Sequence, residues 1–189
     1  WLDENQVPML GVPGLVTGLV ALLDASYGET CTSAAHTISY LSRQEENQVA
    51  LYEAPELVGK LVSLLDLSHG EVCKHAVRAL KELAGKDENK AGLCGESGLL
   101  TGLVPLLDAS QGETCAHAVG CLMRLAWEGR ASMFGEPGLV SGLVGLLDVS
   151  NSEVCTYAVA ALRYIAYHEG NQVGLWQEPE LAAKLTALL

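Results

Sequence analysis

Apolar residues recur along this chain with a helical period, in stretches separated by short polar breaks. Between residues 73 and 84 they fall at Cys73, Ala76, Val77, Leu80, Leu83 and Ala84. Those spacings put all six on one side of a 3.6-residue helix. The stretch before it carries Leu57, Val58, Leu61, Val62, Leu64 and Leu65, which predicts a second helix. A third, shorter helix is expected to begin near Asn5, Asn47, Asn89 and Asn171, as in NQVALYE, with the Asn as its N-cap.

The three elements then repeat. Leu-Leu-Asp stands at 22–24, 64–66, 106–108 and 146–148, in steps of 42, 42 and 40 residues, and Cys31, Cys73, Cys115 and Cys155 keep the same steps. Leu51 to Leu93 and Met133 to Leu175 are both 42, whereas Leu93 to Met133 is 40. The two missing residues therefore fall between Leu125 and Met133, in an expected connection. A fixed period in this range marks stacked supersecondary units. The units run approximately over residues 5–46, 47–88, 89–128 and 129–170, with a partial unit at 171–189.

Local signals predict the boundaries of each helix. Ser26, Ser68, Ser110 and Ser150 are each followed three residues later by Glu, a capping-box pattern expected to open the long helix. Pro13, Pro55, Pro137 and Pro179 are expected to open the second helix at its first position, where a missing N–H costs little. Pro105 falls inside the third unit's second helix and is expected to bend it. Both ends of the chain fall inside a unit without a polar capping sequence, which predicts a fragment of a longer array or ends that stack on other copies.

Composition narrows the function. The chain has 189 residues, 49% of them hydrophobic, with a single Phe, so a core must be built from Leu, Val and Ala. Its net charge of −12 argues against nonspecific binding of a nucleic-acid backbone or an anionic membrane surface, both of which need clustered Lys and Arg. No apolar run reaches the roughly 18 residues of a membrane span, so membrane insertion is not expected.

The succession of a short first helix, LVxxLVxLLD, a Ser/Gly turn and AVxALxxLA resembles the armadillo repeat over essentially the whole chain. The resemblance implies an all-α fold, a right-handed α-solenoid of three-helix repeats of about 42 residues. It also implies a non-catalytic scaffold whose long third helices line a concave groove for a protein or peptide partner.

Chemistry other than binding finds little support. Four of the six cysteines occupy the buried stripe, one per unit, where a free Cys is an ordinary small apolar residue. Stacked helices lie about 8–10 Å apart, too far for a bridge between equivalent residues. Reduced thiols imply a cytoplasmic or nuclear setting. Cys73-x-His75 and Cys115-x-His117 resemble metal pairs, but positions i and i+2 diverge on a helix, so no metal is expected. No phosphate loop, dinucleotide motif, nucleophile elbow or His-Glu-x-x-His occurs, so neither an enzyme nor a cofactor is expected.

The positions that vary between units carry the functional expectation. Opposite the buried stripe stand Ser33, His36, Tyr40; His75, Arg78, Glu82; His117, Gly120, Arg124; and Tyr157, Ala160, Tyr164, spaced i, i+3, i+7. Tyr, Arg and His are typical interface anchors. Tyr40, His75, Arg78, Glu82, His117, Arg124, Tyr157 and Tyr164 are therefore the expected partner contacts. Peptide-carrying members of the resembled family place Asn where this chain has Tyr40, Glu82, Arg124 and Tyr164, and Trp where it has His36, Arg78, Gly120 and Ala160. Neither ladder is present, so recognition differs from backbone clamping of a nuclear-localisation peptide. Lys74, Arg78, Lys81 and Arg124 form either a strip that receives an acidic peptide or a solvated face offset by Glu71 and Glu82. Two alternatives stand beside the groove: end-to-end self-assembly, and a regulatory segment of a larger protein.

Overall fold

The computed structural model describes residues 9–148, 150 and 152–188. The described residues form helices and turns only. In chain order the helices are α1 (Leu15–Ala21), α2 (Glu29–Leu41), α3 (Glu45–Tyr52), α4 (Leu57–Ser63), α5 (Glu71–Leu83), α6 (Asp87–Gly95), α7 (Leu99–Leu103), α8 (Glu113–Gly135), α9 (Leu139–Gly145), α10 (Ser152–Ala166), α11 (Glu169–Trp176) and α12 (Leu181–Ala187). The long helices α2, α5, α8 and α10 pack side by side in sequence order, and the second helices α1, α4 and α9 pack on the long helices that follow them. The result is an α-solenoid.

The apolar stripes meet along its length. All six stripe positions of α5, from Cys73 to Ala84, are buried, and so are Leu57, Leu61 and Leu64. Each side chain of that size is worth about 1.5–3 kcal/mol when fully buried. Many small increments of this kind, repeated unit by unit, hold a solenoid together.

The caps differ from the sequence expectation. The long helix opens at Glu29, Glu71 and Glu113, not at the Ser three residues earlier. Ser26, Ser68 and Ser110 lie in 3-10 turns, where they donate backbone N–H groups to Asp24, Asp66 and Asp108 at 2.8–2.9 Å. The Ser hydroxyls and these N–H groups together hold all three carboxyls below the usual carboxylate range. Gly70 separates turn from helix at φ 53°, ψ −118°, a conformation closed to residues with a Cβ. That interruption is why the box does not form.

Pro55 does not start α4. It occupies the second position of a turn closed by Leu57 N–H to Ala54 O at 3.2 Å, and the next residue takes positive φ. This is a type II turn, which favours Pro followed by Gly. Gly14, Gly98 and Gly138 fill the third position in three other turns, at φ 79–82°, but Glu56 sits there at φ 63° and Glu180 at φ 68°. The left-handed region costs a non-glycine residue about 1–2 kcal/mol, against about 0.5–1 kcal/mol of extra chain entropy for Gly. Glu56→Gly is therefore expected to raise the urea midpoint with an unchanged denaturant slope, a gain of about 0.5 kcal/mol. A lowered midpoint would contradict the assignment of strain.

Two more local readings are corrected. Asn47, Asn89 and Asn171 lie inside α3, α6 and α11 and are buried; they do not cap those helices. Each amide reaches back six residues to the end of the preceding long helix, to Leu41 O, Leu83 O and Ile165 O at 2.9–3.0 Å. Asn5 lies outside the described residues. The two-residue deletion leaves no connection: α8 runs unbroken for 23 residues from Glu113 to Gly135, through the 128/129 unit boundary. Gly129 occupies the Asn position there, and a Cβ on it would meet Cys94 Sγ at 2.9 Å. Pro105 acts as expected: α7 stops after five residues and ends in a 3-10 turn over Val104–Leu106.

Candidate functional site: the long-helix ladder

Because α2, α5, α8 and α10 stack in register, residues at equal helical positions meet across helices. The expected contacts Tyr40, His75, Arg78, Glu82, His117, Arg124, Tyr157 and Tyr164 are all half-buried. His75 stacks on His36 with ring centroids 4.4 Å apart, and His36 meets Tyr40 edge-on at 5.0 Å. Arg78 reaches across from α5 to lie 5.7 Å from the Tyr40 ring centroid. Gly120 is buried between Lys81 and Tyr157, which a Cβ would approach at 3.0 and 3.6 Å. The ladder is thus one continuous surface.

Its charges are largely committed. Arg124 donates to Lys81 O at 2.6 Å and to Glu82 at 3.0 Å, and Lys81 lies 3.1 Å from Glu82. Burial pushes the Glu82 carboxyl up, but the two cations outweigh it and hold it below its ordinary value. Lys74 pairs with Glu71 at 2.6 Å and Glu113 at 3.6 Å. Lys74 and Arg124 therefore serve helix-to-helix pairs and Lys81 a pair within α5, leaving Arg78 without a carboxylate partner among the described residues. His75 and His117 are held neutral. Burial, and then nearby His36, Lys74 and Arg78 for one, Lys81 and Arg78 for the other, lower both to about 4.

The ladder continues one step further than the sequence reading took it. Fourteen residues after each helix-opening Glu stand Arg43, Gly85, Trp127 and Tyr167. Extending the i, i+3, i+7 series by three would have found them. Arg43 lies 5.4 Å from the Tyr40 ring centroid, so two guanidiniums flank that ring. Trp127 and Tyr167, 51% and 61% exposed, cluster with Tyr164 at centroid distances of 5.9–6.4 Å. Arg130 lies over Trp127 at 4.8 Å and Arg163 over Tyr164 at 4.9 Å. Gly85, lacking a side chain, opens a polar notch of about 550 Å³ between these clusters. The buried Gln48 Oε1 faces it, 3.2 Å from where a Cβ would stand, and has no hydrogen-bond partner among the described residues.

Among the described residues no three His, Cys, Asp or Glu side chains gather to hold a metal ion. Cys73 and Cys115 point into the core while His75 and His117 stay on the ladder. Burial pushes the thiols of Cys73 and Cys115 up to about 11 and that of Cys121 to about 12, so none is a thiolate at neutral pH. No helix among the described residues is long and apolar enough to cross a membrane.

No protein-family model matches the chain, and no curated protein matches it. Solved structures do. A designed armadillo repeat protein is 30% identical over 98% of this chain and 79% of its own, with a TM-score of 0.84. A second designed armadillo repeat protein, in complex with the peptide (KR)4, is 30% identical over 98% of this chain and 78% of its own, with a TM-score of 0.82. An engineered protein is 29% identical over 87% of this chain, with a TM-score of 0.76, and the chain spans 40% of that protein's length. Three helices to a unit, the long helices stacked in register, and this identity across nearly all its length mean that the chain belongs to the armadillo-repeat family.

Proposed function

We propose that this chain is a non-catalytic scaffold that binds a protein or peptide partner along the shared face of its long helices. The observation that carries the reading is the ladder itself. Aromatic, His and Arg side chains from four separate helices touch one another and remain partly open to solvent. Such a preformed surface needs little ordering on the receptor side. The designed relative that holds (KR)4 supports peptide binding as a use of this fold. The buried thiols suit a reducing compartment, cytoplasmic or nuclear.

The test is selection of peptides from a random displayed library on the parent protein. Selected peptides are expected to bind a Tyr40→Ala, Arg78→Ala, Tyr164→Ala variant of unchanged helicity at least about tenfold more weakly. Equal binding by parent and variant would sink the reading. A second reading, self-stacking, rests on an apolar hollow of about 380 Å³ between α10, α11 and α12, beside Trp176, which is 83% exposed. It requires the mass of the same samples to rise with protein concentration.

A further inference from the structure

The C-terminal edge of the ladder has two unlike ends. Just beyond α2 and on α5, Arg43 and Arg78 converge on one ring, that of Tyr40, and neither guanidinium has a carboxylate partner among the described residues. On α8 and α10, Trp127, Tyr164 and Tyr167 form a solvent-facing aromatic patch. The one carboxylate at a ladder position, Glu82, is already bound by Lys81 and Arg124. The unpaired charge around the Tyr40 ring is therefore positive, although the notch beside it is lined by four cations and four carboxylates and the whole chain carries −12. At physiological salt, screening over about 8 Å lets the local charges decide what docks there.

Resting on the groove reading above, we propose that the ladder's occupant is an extended acidic segment that also carries a Trp or Pro. Its carboxylates sit on Arg43 and Arg78, and its ring lies against Trp127, Tyr164 and Tyr167. Two free guanidiniums beside a ring make charge-assisted bonds to carboxylates, and exposed aromatic faces take proline or aromatic side chains. The two clusters are two stacked helices apart, about 16–20 Å. An extended chain rises about 3.3 Å per residue, so the two features belong about six residues apart in the partner. This occupant has the opposite charge to the (KR)4 carried by the designed relative.

The probes are fluorescein-labelled DEDEGGGGWPWP and, for the opposite direction, PWPWGGGGEDED, with the halves DEDEGGGG and GGGGWPWP and the basic (KR)4 as controls. One full-length order is expected to bind at least about tenfold more tightly than either half, because the second contact becomes intramolecular. Arg43→Ala with Arg78→Ala should reduce it to the affinity of the aromatic half, and Trp127→Ala with Tyr167→Ala to that of the acidic half. Preferential binding of (KR)4 that Tyr40→Ala weakens would overturn the acidic occupant and leave the groove reading intact. Binding of the acidic probes that none of these substitutions changes, or no binding, would also overturn it, while the library selection judges the groove independently.

Discussion

Asn89→Ala is expected to destabilise the protein by about 1–3 kcal/mol, more than any exposed ladder substitution. Its amide, 1% exposed, donates to Leu83 O at 2.9 Å and to Gln48 O at 3.1 Å. The first bond closes the C-terminal end of α5, where helical carbonyls run out of partners. The second ties α6 to α3, one unit back. Leu83 O keeps only a longer bond from Lys86 N–H, at 3.4 Å. Removing the donor leaves Leu83 O with that longer bond and Gln48 O with its helical one, a loss of about 1–3 kcal/mol in all. Asn89→Asp should be worse than Ala, because it buries a charge against two carbonyl oxygens. A solenoid is coupled only through neighbouring units, so loosening this joint should also lower the denaturant slope. Urea unfolding followed by circular dichroism measures both quantities. A midpoint within about 0.5 kcal/mol of the parent's would show that the amide is dispensable.

The same residue shows where sequence reading succeeds and where it stops. The periodicity that located α6 needed only spacing, and the six-residue stripe of α5 is buried as that spacing required. The role of Asn89 needed the chain reversal between α5 and α6, which brings an amide back onto a carbonyl six residues earlier. Nothing in NKAGLCG announces that turn. The capping box failed for a more local reason. Ser68 and Glu71 have the right spacing, but Gly70 between them adopts a backbone that no helix shares. Asp66, two residues upstream of Ser68, caps the turn instead. The two-residue deletion falls between Leu125 and Met133 by spacing, but its consequence depends on two helices becoming collinear. Gly129 then replaces an Asn whose carbonyl partner is satisfied by the continuous helix. The shared face of the long helices was legible in its positions and not in its pairings. Whether Arg124 is free or bound by Glu82 depends on register across 42 residues of sequence. The aromatic patch was missed because the ladder series stopped one helical step before Trp127.

Stability should fall between about pH 6.5 and pH 4, because His75 and His117 stay neutral in the folded protein. His75 is packed against His36 and has a buried Nδ1 without a partner. Burial, followed by the positive charge of His36, Lys74 and Arg78, lowers it from 6.5 to about 4; Glu71 opposes this weakly. Burial also lowers His117 to about 4, with Lys81 and Arg78 adding to it and Glu113 and Glu82 opposing. Above pH 6.5 neither the folded nor the unfolded chain protonates these rings, and their contribution is flat. Below it the unfolded chain binds two protons that the folded chain refuses, so stability drops as pH falls, at up to about 1.4 kcal/mol per pH unit for each ring. With partial exposure, the loss is about 1–2 kcal/mol per histidine by the time the folded pKa is reached. The lowered carboxyls Asp24, Asp66 and Asp108 lose their contribution only at still lower pH, below the ordinary value of 3.8. Thermal unfolding at about pH 7 and about pH 5 isolates the histidines from them. The parent should lose several degrees between the two, and a His75→Gln, His117→Gln variant should lose much less. If both proteins lost the same, the acid sensitivity would belong to other groups, and the ladder histidines would carry a proton at pH 5 in the folded state.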